Sequence, residues 1–600
     1  MSRGCSPGDG VYYPAVFLDH ESCANPQLDV GAYLSGTQPC RAHPRQRIEE
    51  VAARRLVEKS DRPSTTEPSY CTGLFDDHPA TAPLLDRDVS VLDTTLRDGE
   101  QAPGISLSPE EKADVARELD AAGVAVVEAG SACTGADERE AISRVTGLGL
   151  DARVTSFARG VRRDVDLALD CDVDGVNLVV PASDRHIEGK LDSTRDAVVR
   201  ETVELVEYAR AHGLWVEVLG EDGSRADLAF LEELLGAAIE AGADRICAPD
   251  TVGHATPDRM LEVYARLSDL GPTSTHTHDD LGLAVTNALV GVAAGADLVH
   301  GTVTGIGERA GNVALEEVAI ALQCGYGVDT LETDRLYDLG KLVSTATGVP
   351  LAPNKAVVGD NAFTHESGIH TDGTLKDEAM YEPYPPETVG RTRRLVLGKH
   401  AGRAGVEAAL AEHGIEVTDE ELDEIASRVT ALGDRGKRVT DADLLTFVEK
   451  VQGRERERRV ELLEVTATSG SGMPTASVRL DVDRAALGTA ERSSGDQAEP
   501  GVTVERVASG TGSGPVDAAI AAVRSALGGV ADAQLDSYHV DAITGGTDAV
   551  VSVEVEMSRG DRTVTVAASD ADITTASVRA MVDAIDRLVA EGDVDALADD

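Results

Sequence analysis

The stretch "VSVLDTTLRDGEQAPGISLSPEEKADVARELDAAGVAVVEAG" (89–130) holds a strand, a helix and a second strand. The runs "VSVLDTTL" (89–96) and "VAVVEAG" (124–130) have the length and β-branched content of buried strands. Between them Ser108 and Glu111 form a capping box, Pro109 opens the helix and Gly123 stops it. Strand, crossover helix and strand is the unit of a parallel sheet. The unit recurs in "ARVTSF" (152–157), "GVNLVVP" (175–181), "LWVEVLG" (214–220), "DRICAPD" (244–250), "TSTHTH" (273–278) and "DLVHGTV" (297–303). Gly242 and Gly295 end two of the intervening helices as Gly123 ends the first. Eight units in succession predict an α/β protein with a closed (β/α)8 TIM barrel rather than an open sheet.

At 600 residues the chain exceeds what one hydrophobic core organises, so several domains are expected. The barrel is expected over 89–345. Residues 1–88 are irregular apart from a helical pattern in "RQRIEEVAARRLVEK" (45–59), and read as a disordered extension, an upstream start or a regulatory arm. Helical subdomains follow over 346–455, interrupted by two polar loops, "NAFTHESGIHTDG" (361–373) and "MYEPYPPETVG" (380–390). Within them 418–453 reads as three short helices. Residues 456–600 alternate strands and helices, with "ERSSGDQAEPG" (491–501) as a surface insertion. Here "GPVDAAIAAVRSAL" (514–527) and "TTASVRAMVDAIDRLV" (574–589) each follow a strand-rich stretch, which predicts two similar halves of an α+β domain for small-molecule binding or dimerisation.

Lys and Arg number 55 against 106 Asp and Glu, a formal net charge of −51 spread along the chain. That field repels nucleic acid and anionic lipid, and a salt-rich cytoplasm is the simplest setting in which it is screened. The 8 cysteines form no C-x-x-C pair, arguing against a zinc ribbon or a secreted disulfide framework. No apolar run is long enough to span a bilayer and no signal-peptide pattern opens the chain, so a cytoplasmic protein is expected.

A barrel places its chemistry at the C-terminal ends of its strands. Those ends carry Arg97, Asp98 and Glu100, then Glu221 and Asp222, then Asp250 and Thr251, then His276 and His278, then Glu308, Arg309 and Asn312. His276 and His278 lie on one face of an extended segment, so their ring nitrogens can converge on one ion. Alone, the pair is equally compatible with two partly exposed strand histidines. Asp98, His276, His278 and Asn312 come from strands that neighbour each other around a closed barrel. Two imidazoles, a carboxylate and an amide oxygen leave positions open for water or a bidentate substrate, as a divalent Lewis acid requires. Taken singly, Asp98 could cap a turn and Asn312 could cap the next helix.

These residues also carry a family resemblance. "LDTTLRDGEQ" (92–101), "THTHDDLGLAVTNALVGVAAGA" (275–296), "GIGERAGN" (305–312) and "HESGIHTDG" (365–373) resemble the signatures of the acetyl-CoA-dependent 2-isopropylmalate, citramalate and homocitrate synthases, over about 89–595. The resemblance implies a homodimeric, metal-dependent barrel enzyme (Mn, Mg or Zn) that condenses acetyl-CoA with a 2-oxo acid. It implies Asp98, His276, His278 and Asn312 as metal ligands, in agreement with the barrel argument. It also implies Arg97 stabilising the alkoxide or enolate charge, Glu221 and Thr251 holding the oxo acid or orienting Arg97, and His370 and Tyr381, supplied by the dimer partner, beside the deprotonation of acetyl-CoA. A C-terminal domain that binds a feedback amino acid is implied as well. Read simply as structure, Arg97 would pair with Glu221, His370 would be a satisfied loop histidine and Tyr381 a packing residue. Glu100 and Gln101 read as supports rather than reactants.

Glu217, in "EVLGED" (217–222), stands where homocitrate synthases carry a cation for a distal carboxylate, which disfavours 2-oxoglutarate. "EAGSA" (128–132), "GEDGSRAD" (220–227) and "NAFTHESGIHTDG" look like archaeal-type citramalate synthases, so pyruvate is the expected substrate and 2-oxoisovalerate the alternative. A carbon–carbon lyase on the same barrel and a catalytically dead amino-acid sensor are the remaining readings. The family pattern H-x-H-N-D is broken by Asp279, which strand alternation places away from the histidines, where it is expected to adjust the metal's surroundings.

Overall fold

The computed structural model describes residues 87–434, 439–453, 458–469, 472–483, 503–528, 533–542, 551–560 and 562–590. The helical pattern at 45–59 and the insertion at 491–501 lie outside them.

Eight parallel strands close on themselves: β1 (Ser90–Asp93), β2 (Val126–Glu128), β3 (Arg153–Arg159), β4 (Gly175–Pro181), β5 (Trp215–Glu221), β6 (Arg245–Cys247), β7 (Thr273–Thr275) and β8 (Leu298–Gly301). Closure is made by β8 against β1, with Val91 opposite Val299 and Leu92 opposite His300. The helices follow the local signals. Ser108 Oγ accepts from Glu111 N while Ser108 N donates to the Glu111 carboxylate, and Pro109 opens the helix Pro109–Ala121. Gly123, Gly242 and Gly295 follow their helices at φ 85°, 102° and 129°, a conformation that costs glycine little. Several strands are shorter than their apolar runs, so Arg97, Asp98, His276 and His278 stand just beyond strand ends, on the loops of the barrel mouth.

Barrel interiors are ordinarily filled by branched apolar side chains. This one buries Asp93, Glu128, Asn177, Glu217, Ser274 and His300. Polar groups survive there only when paired or when a ligand completes them. Beside β1, the fully buried Lys112 donates to Leu96 O at 2.9 Å and pairs with Glu100 at 2.6 Å and Glu138 at 2.8 Å. Glu138 also accepts from Ser131 N at 3.0 Å, so one ammonium ties the loops after β1 and β2 together.

Beyond the barrel, β9 (Thr364–His365) and β10 (Arg394–Leu395) pair in parallel. The first polar loop is in part a helix, Gly368–Lys376, and His370 is therefore a helical residue rather than a loop residue. Residues 418–453 hold two described helices, Asp419–Gly433 and Asp441–Gln452, where three short ones were expected. Each opens on its own capping box, Thr418 with Glu421 and Thr440 with Asp443, and leucine and valine faces carry each helix through to a terminal glycine.

The C-terminal domain repeats a three-strand, one-helix unit. β11 (Val460–Thr468), β12 (Thr475–Asp483) and β13 (Thr503–Thr511) precede the helix Pro515–Leu527; β14 (Gln534–Ala542), β15 (Val551–Arg559) and β16 (Arg562–Asp570) precede Ile573–Ala590. Both sheets are antiparallel, and both helices share one core that includes Val478, Ala522, Val555 and Met581. The internal echo in the sequence is this duplication. Arg394 reaches Glu556 of β15 at 3.5 Å across a cavity of about 930 Å³, also lined by Leu397, Asp441 and Thr565. No helix among the described residues is long and apolar enough to cross a membrane.

Candidate active site

Three side chains that sequence placed together do meet. Asp98 Oδ2 lies 3.3 Å from His276 Nε2 and 3.7 Å from His278 Nε2, and the two Nε2 atoms are 3.3 Å apart. All three residues are buried, and their candidate donor atoms lie within 4.8 Å of one another. A cation set between the two Nε2 atoms and the carboxylate oxygen would draw on all three as donors. Asn312 is drawn in by a backbone bridge to His278. Its Oδ1 is buried without a partner, while Nδ2 faces Ile306 O at 3.4 Å. The helix after it begins at Leu315 with Ala314 as its cap, so Asn312 is not spent on capping. The glycines of "GIGERAGN" make room: a Cβ on Gly307 would lie 2.3 Å from Asn312 Nδ2, and one on Gly311 would lie 2.0 Å from Gly305 O. The orphaned amide oxygen and the converging nitrogens fit a divalent cation.

Electrostatics agree. Burial opposes the charge on Asp98, but Arg97 and His276 beside it hold its carboxyl well below the usual range. Burial and the neighbouring His276 draw His278 down to about 4, so its ring is neutral and able to ligate at neutral pH.

Arg97 does not pair with Glu221. Its Nε donates to Glu128 Oε2 at 2.6 Å, its Nη1 lies 3.2 Å from Asp98 Oδ1, and its guanidinium stacks 4.8 Å from the Phe157 ring centroid. Glu128 is in turn held by Thr94 Oγ1 at 2.5 Å and Asn177 Nδ2 at 2.8 Å. Glu128 and Asn177 escaped the sequence reading, although Glu128 closes β2 and obeys the same strand-end rule that selected Asp98.

Glu217 is not a free charge beside a substrate. It is fully buried and accepts from Ser274 Oγ and from His300 Nε2 at 3.1 Å, and the His300 ring stands 5.5 Å from that of His276. Its carboxylate is thus engaged by side chains inside the barrel rather than standing open to a substrate's distal carboxylate. Glu221 pairs with Lys190 at 2.8 Å, and Thr251 Oγ1 accepts from Asp222 N at 2.9 Å, fixing the loops after β5 and β6 to each other. Asp222 sits at φ 65°, an unusual backbone for a residue with a side chain. Asp279 accepts from Ala284 N at 2.9 Å and pins the start of the following helix, rather than adjusting the histidines. Glu100 accepts from Leu107 N and pairs with Lys112, a supporting role as expected.

His370 and Tyr381 meet each other, with ring centroids 4.4 Å apart and planes tilted by 31°. Both are exposed, and the Ile369 and Met380 side chains beside them are exposed as well. Their other close contacts are local, His370 O accepting from Thr374 Oγ1 and the His370 ring lying 6.5 Å from that of His365. Among the described residues no hydrogen bond, ion pair or ring contact joins this pair to Arg97 or the Asp98 cluster within one chain.

Three family descriptions match in series: HMGL-like over residues 88–347, homocitrate synthase post-HMGL domain-like over 357–437, and the LeuA allosteric (dimerisation) domain over 438–589. The (R)-citramalate synthase of Methanocaldococcus jannaschii is 46% identical over 505 residues, covering 84% of this chain and 99% of that protein. A protein of Methanothermobacter thermautotrophicus, provisionally named (R)-citramalate synthase, is 51% identical over 505 residues, covering 84% of this chain and 98% of that one. Among solved structures, the HMG-CoA lyase of Brucella melitensis is 20% identical, with a TM-score of 0.40, over 44% of this chain and 99% of that one. The barrel, its mouth and these near-full-length relatives agree: the chain belongs to the acetyl-CoA-dependent 2-isopropylmalate, citramalate and homocitrate synthase family, together with the (R)-citramalate synthases.

Proposed function

We propose that this chain is a citramalate synthase, condensing acetyl-CoA with pyruvate to give (R)-citramalate and CoA. The observation that carries the reading is the convergence of Asp98, His276, His278 and Arg97 at the mouth of a barrel whose relatives bear that name. Asp98, His276, His278 and the Asn312 amide oxygen would hold a divalent ion, Mn, Mg or Zn. Bound there, it would polarise the keto group of the 2-oxo acid. The chain's own groups do the rest. Glu128 and Asp98 orient the Arg97 guanidinium, which balances the negative charge developing on oxygen in a water-poor site. His370, with Tyr381 stacked on it, accepts a methyl proton of acetyl-CoA; the resulting carbanion equivalent bonds to the keto carbon, and the alkoxide takes up a proton. Water then cleaves the thioester, releasing CoA as the thiol and leaving the carboxylate. The loops tied by Glu221, Asp222 and Thr251 would enclose the oxo acid.

Exposed His370 and Tyr381, and the match to a dimerisation domain, support a homodimer in which each subunit lends this pair to its partner's barrel. A cavity of about 310 Å³ in the C-terminal domain, bounded by Ile520, Leu535 and Tyr538, suits an aliphatic feedback amino acid, isoleucine if the product is citramalate and leucine if it is isopropylmalate. Cys133, Cys171, Cys247 and Cys324 form no disulfide among the described residues, which fits a reducing cytoplasm, and the net charge of −51 fits a salt-rich one. Residues 1–88, 89–345, 346–455 and 456–600 would then serve as extension, catalytic barrel, helical linker and regulatory domain.

The test is release of free CoA from acetyl-CoA at high salt with pyruvate, 2-oxoisovalerate and 2-oxoglutarate side by side. A clear preference for pyruvate is expected. A preference for 2-oxoisovalerate would move the chain to isopropylmalate synthesis, cleavage of a hydroxyacyl-CoA without condensation would make it a lyase, and binding of isoleucine with no CoA release would make it a sensor.

A further inference from the structure

Tyr381 begins the polar segment 381–390, yet the residue after it, Glu382, is a buried acid only 4% exposed. A carboxylate is found in such a place only when it is paired. Glu382 is held in a bidentate fork by Arg393, with Nε to Oε1 at 2.6 Å and Nη2 to Oε2 at 2.7 Å, and His365 Nε2 lies 3.2 Å from Oε1. The third arm of the same guanidinium, Nη1, donates to Glu378 Oε1 at 2.8 Å. Glu378 opens the short turn Glu378–Met380 and accepts from Tyr381 N and Glu382 N through its carbonyl. One arginine therefore grips the segment on both sides of Tyr381. Arg393 is anchored in turn, because the strand it leads into is paired, Arg394 N to Phe363 O at 3.0 Å and Val396 N to His365 O at 2.9 Å. On its far side the Tyr381 ring packs against Gly373, where an added Cβ would stand 2.3 Å from Tyr381 Cε2, and the ring also meets His370. The fork fixes direction as well as distance, since two parallel charge-assisted bonds tolerate little rotation.

We propose that Glu382, clamped by Arg393 and His365, is a positioning residue that sets the His370–Tyr381 pair for proton transfer. It rests on the assignment of that pair to the deprotonation of acetyl-CoA. Glu382 touches no reactant. It acts by holding Tyr381 over Gly373, and with it the His370 ring.

Glu382→Gln, Glu382→Ala, Arg393→Ala and the Glu382→Ala/Arg393→Ala double variant of the full chain test this by CoA release and by amide hydrogen exchange over 368–382 without substrate. Displacing the pair by about 1 Å should lower kcat on the order of 10²-fold in the alanine variants and less in Glu382→Gln, which keeps the shape. KM for the oxo acid should stay within about twofold, because the barrel holds that substrate. The double variant should be no slower than the slower single one, since both remove the same clamp. Exchange over 368–382 should quicken in every variant. Unchanged kcat, a kcat loss matched by a rise in KM for the oxo acid, or multiplicative loss in the double variant would overturn the proposal. Should the wild type release no CoA with any oxo acid, the functional reading falls by itself; the exchange measurement still judges the clamp, and unchanged exchange over 368–382 refutes it.

Discussion

Glu128 is where a single substitution should separate the proposed catalysis from assembly of the candidate metal site. Its two oxygens receive Arg97 Nε, Thr94 Oγ1 and Asn177 Nδ2, and none of the four side chains is more than 8% exposed. Glu128→Gln keeps the shape but supplies one acceptor and one donor group. Arg97 and Asn177 both present N–H groups, so the new amide can satisfy only one of them well. A charge-assisted bond of this kind is worth about 1.5–3 kcal/mol. If that loss is felt wholly in the transition state, where Arg97 meets developing charge, it corresponds to a fall in kcat of about 10- to 150-fold. Asp98, His276 and His278 are untouched, so metal content should stay at the wild-type level. Because the pair is buried, the loss should persist at high salt, where exposed pairs such as Arg394 with Glu556 are screened. The assay is CoA release with pyruvate across a salt series, with bound metal measured on the same samples. A kcat within about twofold of wild type would show that Arg97 does not depend on Glu128 for its orientation, and the account of the mouth would fail.

His276→Ala should lose bound metal and activity together, by elemental analysis and CoA release; retention of both refutes the ligand assignment. Lys112→Met leaves Glu100 and Glu138 facing each other in the interior and should cost about 3–5 kcal/mol in urea unfolding, the usual penalty for breaking a buried pair. Burial raises the Asp93 carboxyl to about 7 despite its bonds to Thr95. Between the unfolded value near 4 and the folded one near 7, the native state binds the extra proton, so this group lowers stability as pH rises through that window, by at most about 1.4 kcal/mol per pH unit. Asp93→Asn should therefore flatten the fall in urea stability from pH 5 to pH 7 and leave the protein more stable than wild type at pH 8; an unchanged slope refutes it.

The barrel was legible because local and global signals coincide in it. The capping box at Ser108, the left-handed glycines at helix ends and the apolar strand runs all demand the same fold. The meeting of Asp98, His276 and His278 was legible because parallel strands deliver their ends to one mouth. The orientation of Arg97 was not, since it depends on which of several strand-end acids lies nearest, and that is fixed by barrel register: Asp93 pairs with Val127, one residue before Glu128. The helix that carries His370 was missed because "SGIHTDGTLK" is rich in glycine and polar residues. It forms where Gly368 and Gly402 approach so closely that a Cβ on Gly368 would stand 2.8 Å from the Gly402 backbone. Tertiary contact overrides propensity there. The setting of Glu217 was not legible because sequence shows a charge but not its buried neighbours, Ser274 and His300.

The candidate metal cluster spans the point where the barrel closes. Asp98 follows the first strand, while His276, His278 and Asn312 follow the last two, and Val303 N reaches Thr95 Oγ1 across 208 residues of chain. Contacts of such sequence separation form late, after the entropy of closing the intervening loop has been overcome. A nascent chain exposes Asp98 before either histidine has been made, and the complete candidate ligand set exists only in a finished barrel. A metal taken up by this cluster would be captured only at the end of folding and would stabilise only molecules that have reached that point.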